Sequence, residues 1–341
     1  MSEKMQAGVL VDLMLSQGRS PVHAAVMSAF VFVLSLPCTL RAQDYPSKPV
    51  RIIVSTGAGG SADTLTRVLA QKLGERLHQQ FVVENRAGAG GVIGTDMVAK
   101  APADGYTLLS AYGSHVINAT LYTKLPYDTI KDFSPITQIA QQPLIAVVHP
   151  SVPIQTAKDL IALARARPTA ILYASAGSGS GGHIATEMLA TATGTKMTHV
   201  PFKEAAAALV SVVSGQTHVM LPGLVNAIPH VRSGRLRAIG VTSGKRSHAA
   251  PDIPTLAEAL QVEYEAVVGY FLLAPARTPK IIIDRLHADV AEALGSPDLI
   301  ARYQRDGAEP LPRNPAGTAK YIEAEIQRLG KVIKDMAILA D

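Results

Sequence analysis

The 341-residue sequence has no tryptophan, one cysteine and only 5% aromatic residues. The cysteine, Cys38, falls inside an N-terminal segment that reads as removable, so the mature chain is expected to carry no thiol. That excludes a disulfide framework, cysteine nucleophiles and thiolate metal sites together. Charge is sparse at 17%, and the 32 basic residues exceed the 27 acidic ones without forming a basic run interleaved with aromatics, which argues against nucleic-acid binding. A net charge of +5 suits the steering of anions and equally an ordinary surface. Long apolar runs are missing too: Ala24 to Leu36, thirteen residues without a charge, falls short of the roughly 20 that a spanning helix needs. No tandem repeat or low-complexity tract is present. What remains is 48% hydrophobic, enough for a packed core in a chain long enough for about two domains.

Residues 1–42 read as a secretory signal peptide. Arg19 and His23 precede the apolar run, and Pro37 with Leu40-Arg41-Ala42 follows it, so cleavage is expected after Ala42. Pro37 spoils a lipoprotein attachment at Cys38. The stretch before Arg19 is long and carries Glu3 and Asp12, which suggests a start at Met5 or Met14. Removing Lys4, Arg19 and Arg41 together with Glu3 and Asp12 takes the net charge from +5 to +4.

From residue 50 onward strand-like and helix-like segments alternate, which predicts an α/β fold with mostly parallel sheets covered by helices on both faces. The first series runs through strand 50–54, helix 63–77, strand 81–84, helix 91–99 and strand 106–111. A second runs through strand 144–149, helix 156–167, strand 171–174, helix 184–193, strand 197–201, helix 205–214, and strands 219–221 and 236–242. Strand 267–273 and helices 280–294 and 315–336 close the chain.

Two glycine-rich turns stand where a strand hands over to a helix: Thr56-Gly57-Ala58-Gly59-Gly60-Ser61-Ala62-Asp63, and Ser175-Ala176-Gly177-Ser178-Gly179-Ser180-Gly181-Gly182-His183. Free backbone N–H groups and the positive helix end converge at such turns with no side chain in the way, so both read as anion sockets. A pair of them suggests one ligand gripped from two sides. Competing readings exist. Gly57, Gly59 and Ala62, with Glu84 ending the next strand, also fit a dinucleotide fingerprint, and Gly177, Gly179 and Gly182 repeat it without an acid. The export signal argues against a nicotinamide cofactor. Glycines can also serve tight turns and nothing else. Around Ser180 a hydrolase elbow fails at its leading glycine. His183 and Glu187, one helical turn apart, could hold a metal, but no third ligand is placed, and a helix-start histidine paired with a glutamate accounts for them better. Tyr112, Ser114 and His115 lie at the C-terminal end of a strand, the edge where open α/β sheets bind ligands, although an ordinary loop histidine fits His115 as well. Lys203-Glu204 reads as an exposed ion pair or part of a pocket wall.

The mature chain resembles the substrate-binding receptors of tripartite tricarboxylate transporters, the Bug receptors. The resemblance rests on Tyr45 to Val54, Gly59-Gly60-Ser61-Ala62-Asp63, Val83 to Gly91, Ala103 to Leu109, Leu125-Pro126-Tyr127-Asp128, Tyr173 to Gly177 with His183 and Glu187, and Leu272-Leu273-Ala274-Pro275. It implies a two-lobed periplasmic-binding-protein fold of type II, each lobe a doubly wound sheet flanked by helices. The lobes would be 43–143 plus 267–341 and 144–266, with crossings near Gln142 to Ala146 and Ala266 to Leu272. It implies further that a small organic carboxylate is held in the interlobe cleft by the two strand-to-helix loops, and that the protein is a periplasmic receptor, not an enzyme. No cofactor, metal or nucleic acid is expected, and the partners would be the membrane components of such a transporter, served by a monomer. A secreted enzyme, such as a hydrolase acting on a carboxylated substrate, is the rival. The expected ligand-binding residues are Gly57, Ala58, Gly59, Gly60, Ser61 and Asp63 in the first loop, Ser175, Gly177, Ser178, Gly179, Ser180, Gly181 and His183 in the second, with Tyr112, Ser114, Glu204 and Pro222.

Several positions depart from the family pattern. Ser55-Thr56-Gly57-Ala58 replaces a Pro-Phe-x-Pro type run, Glu204 a glycine, and Pro222 an aspartate. Gly269 stands for a common tryptophan and Phe271 for a common glycine. Near the pocket, Glu204 would disfavour an anionic tail, Phe271 would add bulk, and Pro222 would remove a site for a ligand amino group.

Overall fold

The computed structural model describes residues 45–335, so the expected signal segment with Cys38 lies outside the described residues. The chain opens with strand β1 (Val50–Val54), helix α1 (Ser61–Leu77), β2 (Phe81–Asn85), α2 (Val92–Ala99), β3 (Thr107–Tyr112), α3 (Gly113–Leu121) and β4 (Phe133–Pro143). It continues through β5 (Ile145–Val148), α4 (Ala157–Ala166), β6 (Leu172–Ser175), α5 (Gly181–Thr193), β7 (Thr198–Pro201), α6 (Ala205–Val213), β8 (Val219–Met220), α7 (Leu224–Arg232), β9 (Arg237–Val241) and α8 (Leu256–Leu260). It ends with β10 (Val267–Pro275), α9 (Lys280–Leu294), α10 (Pro297–Arg305), β11 (Glu309–Arg313) and α11 (Pro315–Asp335).

Two sheets result. The first is six-stranded, in the order β11-β4-β10-β3-β1-β2, and the second five-stranded, in the order β7-β6-β8-β5-β9. β1 pairs in parallel with β2 and β3, and β6 with β7 and β8, as strand–helix–strand crossovers require. The expectation of mostly parallel sheets is corrected elsewhere. β10 runs antiparallel to both β3 and β4, β11 antiparallel to β4, and β5 antiparallel to β8 and β9. The reason is the path of the chain: β4 leaves the first sheet for the second, and β10 returns in the opposite direction.

Each sheet buries both faces, so its inner strands are apolar almost without alternation. In the first sheet Ile52, Val54 and Leu108 pack with Leu65 and Leu69 of α1 and Leu286 and Val290 of α9, while Ile53, Leu109 and Leu273 pack with α2, α3 and α11. In the second, Ala146, Val148 and Tyr173 meet α4 and α5, and Ile145 and Val147 meet α6 and α7. Strand β4 departs from this rule because it buries Thr137, Gln138 and Gln142 completely. Their polar atoms are matched within the fold. Arg313 donates to Gln138 Oε1 at 3.1 Å, and Gln142 donates to the Asp306 carbonyl at 2.9 Å while accepting from the Tyr270 hydroxyl at 3.0 Å.

Candidate functional site

A cavity of about 190 Å³ opens at the strand-to-helix connections of both sheets. Its lining includes the N-cap residues of six helices: Gly60 of α1, Gly91 of α2, Tyr112 of α3, Ser180 of α5, Glu204 of α6 and Gly223 of α7. Only Ser180 caps its helix with its own side chain, accepting from the His183 N–H at 3.3 Å. The other five N-cap residues make no side-chain cap hydrogen bond. By contrast α4 and α8, which begin elsewhere, are closed by Thr156/Asp159 and Thr255/Glu258 capping boxes. Each helix end favours an anion by about 0.3–1 kcal/mol, and up to about 2 kcal/mol where it is partly buried. Their convergence is the geometry that suits an anion held by backbone N–H groups.

The first loop is shaped from behind. Asp63 is buried, and its carboxylate accepts from the Gly59 N–H at 2.9 Å and from Asn85 Nδ2 at 3.0 Å, and pairs with Arg67 at 2.9 Å. Asn85 also donates to the Thr56 carbonyl at 3.1 Å. Burial pushes the Asp63 pKa up, but the hydrogen bonds from Arg67, Gly59 and Asn85 outweigh it and hold the group below its ordinary value. A carboxylate so depressed contributes stability above its unfolded value and loses it as pH falls through the folded one. Asp63→Asn should therefore cost about 1–3 kcal/mol at pH 7, in the range for disrupting buried charged hydrogen bonds. The difference between variant and wild type should shrink below about pH 4, a trend that denaturant melts across pH can check.

The second loop is folded by its own polar groups. Ser175 Oγ lies 2.6 Å from His199 Nε2 and accepts from the Gly177 N–H at 3.1 Å. His183 Nδ1 accepts from the Gly179 N–H at 3.0 Å, and its ring stacks on His199 with centroids 4.0 Å apart. Glu187 accepts from the Tyr173 hydroxyl. No metal-binding cluster occurs among the described residues.

A third loop, unassigned from the sequence, completes the wall. Ala87 to Gly91 line the cleft, and Gly88, Ala89, Gly90 and Gly91 all have positive φ. At Gly91, φ is +94° and a Cβ would stand 3.2 Å from the Ser55 carbonyl, so glycine is required there. Tyr270 and Val268 line the cleft from β10, and Asn226 from α7. Asn226 ties the two sides together: its Nδ2 donates to the Gly59 carbonyl at 2.8 Å, and its Oδ1 accepts from Ser61 Oγ at 2.9 Å.

The expected site residues therefore separate. Gly57, Ala58, Gly60, Ser61, Tyr112, Ser180, Gly181, Glu204 and Pro222 line the cleft. Gly59, Asp63, Ser114, Ser175, Gly177, Ser178, Gly179 and His183 are not among its lining residues, and Asp63, Ser114, Ser175, Gly179 and His183 are buried beside it. Ser114 sits under Gly91, and Gly179 packs on Leu121. His115 is buried between Tyr127 and Phe133 with Nε2 at 3.2 Å from the Thr129 carbonyl, and burial lowers its pKa to about 4. Phe271 does not add bulk to this cleft. It shares the opposite face of β10 with Gly269, and its ring fills the space a Gly269 side chain would need, 2.6 Å from the Cβ position. Glu84 cannot serve a ribose as placed, since Arg51 donates to it at 2.7 and 3.1 Å and Arg86 at 3.1 Å.

Residues 65–338 match the family described as the tripartite tricarboxylate transporter family receptor. The chain belongs to this family. It is 35% identical to protein BugT of Bordetella pertussis over 313 residues, 91% of this chain and 96% of BugT. Among solved structures, R. palustris Rpa4515 with adipate is similar at a TM-score of 0.84 and 36% identity, covering 87% of this chain and 100% of that one. MatC (Rpa3494) from Rhodopseudomonas palustris with bound malate gives 0.78 and 30%, covering 85% and 100%. The family is one of substrate-binding receptors, which places this chain outside the enzymes. Among the described residues no helix is long and apolar enough to cross a membrane.

Proposed function

We propose that this protein is a periplasmic receptor that captures a small organic carboxylate in the cleft and delivers it, as a monomer, to the membrane components of a tripartite tricarboxylate-type transporter. The observation that carries the reading is the convergence of six helix N-termini, five of them uncapped by side chains, on one cavity. Relatives solved with adipate and with malate support the ligand class. In this reading residues 43–143 plus 267–341 and residues 144–266 are two lobes that hinge at the two crossings, in keeping with β4 passing to β5 and β10 returning. The ligand-binding residues are those of the two loops that line the cleft, Gly57, Ala58, Gly60, Ser61, Ser180 and Gly181, with Tyr112, Glu204 and Pro222, joined by Ala87 to Gly91, Asn226 and Tyr270.

The energetics call for a clamp. A micromolar ligand needs about 8 kcal/mol net, whereas one charge-assisted hydrogen bond supplies about 1.5–3 kcal/mol and one helix end at most about 2 kcal/mol. Several ends acting together, with water expelled on closure, reach that figure after ordering costs. Thermal melts of the mature chain against a panel of organic acids test the proposal. A ligand at 100 times its dissociation constant should stabilise by about 2.7 kcal/mol. At least one small mono-, di- or tricarboxylate should give that rise and NAD none, and a response to NAD alone would overturn the reading.

A further inference from the structure

Lys203 and Glu204 are the two charged side chains in the lining of the cleft. Neither forms an ion pair or hydrogen bond among the described residues. Glu204 is the N-cap residue of α6, yet its side chain does not accept from the helix it begins. Instead it reaches over the first loop. A Cβ at Gly57 would stand 2.9 Å from Glu204 Cδ, 2.9 Å from Oε1 and 3.2 Å from Oε2, so the carboxylate lies flat against the glycine. An acid in this place works against the rest of the site. Five uncapped helix ends draw an anion in, while the Glu204 oxygens offer only acceptors and a negative charge beside the first of those ends.

We propose that Glu204 is a specificity-determining residue that makes this receptor select monocarboxylates carrying an ammonium group at the far end, at the expense of dicarboxylates of the same length. The inference rests on the carboxylate-receptor reading and narrows it. The carboxylate of such a ligand takes the helix N-termini, and its ammonium donates to Glu204 in a charge-assisted hydrogen bond. A second carboxylate in the same place meets a like charge at Glu204. Lys203 adjoins Glu204 and offsets part of its charge, but it is a flexible point charge on the open rim, whereas the Glu204 carboxylate rests on the loop.

Calorimetric titration of the full mature chain with matched probes decides the matter: succinate, glutarate and adipate against 4-aminobutanoate, 5-aminopentanoate and 6-aminohexanoate. In the wild type the best amino acid should bind about tenfold more tightly than its dicarboxylate, the order expected of opposite rather than like charges a few ångströms apart at a wet rim. The preference should weaken as salt is raised. Glu204→Gln should erase it by strengthening the dicarboxylates, and Lys203→Gln should widen it. Melting curves of both variants report that the fold is intact. A wild type that binds the dicarboxylates as tightly or more tightly, or a preference that survives in Glu204→Gln, overturns this inference and leaves the receptor reading standing. Silence from all six probes overturns this inference too, and the melts against the wider acid panel then decide the receptor reading.

Discussion

Gly60→Val is expected to weaken ligand binding by about 100-fold or more while lowering the melting temperature by only a few degrees. The fold tolerates the side chain. Gly60 has φ −74° and ψ 167°, extended backbone that valine adopts freely. A Cβ there would have the Gly57 carbonyl at 3.6 Å and Thr56 Oγ1 at 3.9 Å as its nearest neighbours, both at ordinary contact distance. The cost to stability is that of a poor N-cap residue, about 1 kcal/mol, which in a chain of this size amounts to roughly 2–4 °C. The cost to binding is larger because the side chain projects from the cap of α1 into the cleft. An anion must come within about 2.9 Å of the first-turn N–H groups, and a branched side chain holds it away. Losing one charge-assisted hydrogen bond and one helix end amounts to about 2.7 kcal/mol, a factor of about 100. Calorimetry on the folded variant reads this directly, and an unchanged affinity would mean that α1 does not hold the ligand.

The two glycine loops were visible in the sequence because a strand, a glycine cluster and a helix follow each other within a short stretch, and local order of that kind survives in any tertiary setting. The same logic made β1, β2, β3 and most of the second sheet legible. Strand β4 was not, because its buried Thr137, Gln138 and Gln142 break the apolar pattern, and their partners Arg313, Asp306 and Tyr270 come from distant parts of the chain. Helix α3 begins at Gly113 directly after β3 ends at Tyr112, leaving no linker to mark the change. Helix α7 carries Pro229 inside it, which reads as a stop.

Within the site, what escaped were contacts across the cleft. Asn226 meets Gly59 and Ser61 from more than 160 positions away, and nothing in its neighbourhood sets it apart from an ordinary helix-start asparagine. The third loop does leave a signal, the run Ala87-Gly88-Ala89-Gly90-Gly91, but no strand leads directly into it, since Arg86 separates it from the end of β2 at Asn85. Phe271 was misplaced by parity. On a strand, Val268 and Tyr270 share one face and Gly269 and Phe271 the other, so a shift of one residue moves a side chain from the cleft to the core. The same distinction between touching the ligand and shaping what touches it separates Gly60 from Gly179.

Gly179→Ala should also weaken binding, by a different route. Gly179 does not line the cleft. It stands at the tip of the second loop with φ +75°, where a Cβ would fall 2.0 Å from Leu121 Cδ2 and 3.6 Å from Ile117 Cγ2, both on α3 of the first sheet. The loop itself continues from β6 of the second sheet, so this contact bridges the two proposed lobes and is expected to break when they open. Left-handed backbone at alanine costs roughly 1–2 kcal/mol, and that share falls on overall stability. The clash falls on the closed form alone. Overpacking of this sort costs about 1–3 kcal/mol, which lowers affinity by roughly 5- to 150-fold if the ligand binds only the closed form. Leu121→Ala in the same chain removes the methyl group in the way. The double variant should recover most of the affinity even though the cavity at Leu121 lowers its stability by about 2–5 kcal/mol. Small-angle scattering supplies the second readout: saturating ligand should compact Gly179→Ala less than the wild type and the double variant fully. Affinity that falls in Gly179→Ala and is not restored by Leu121→Ala would mean that the loop acts through its own hydrogen bonds and not through closure against α3.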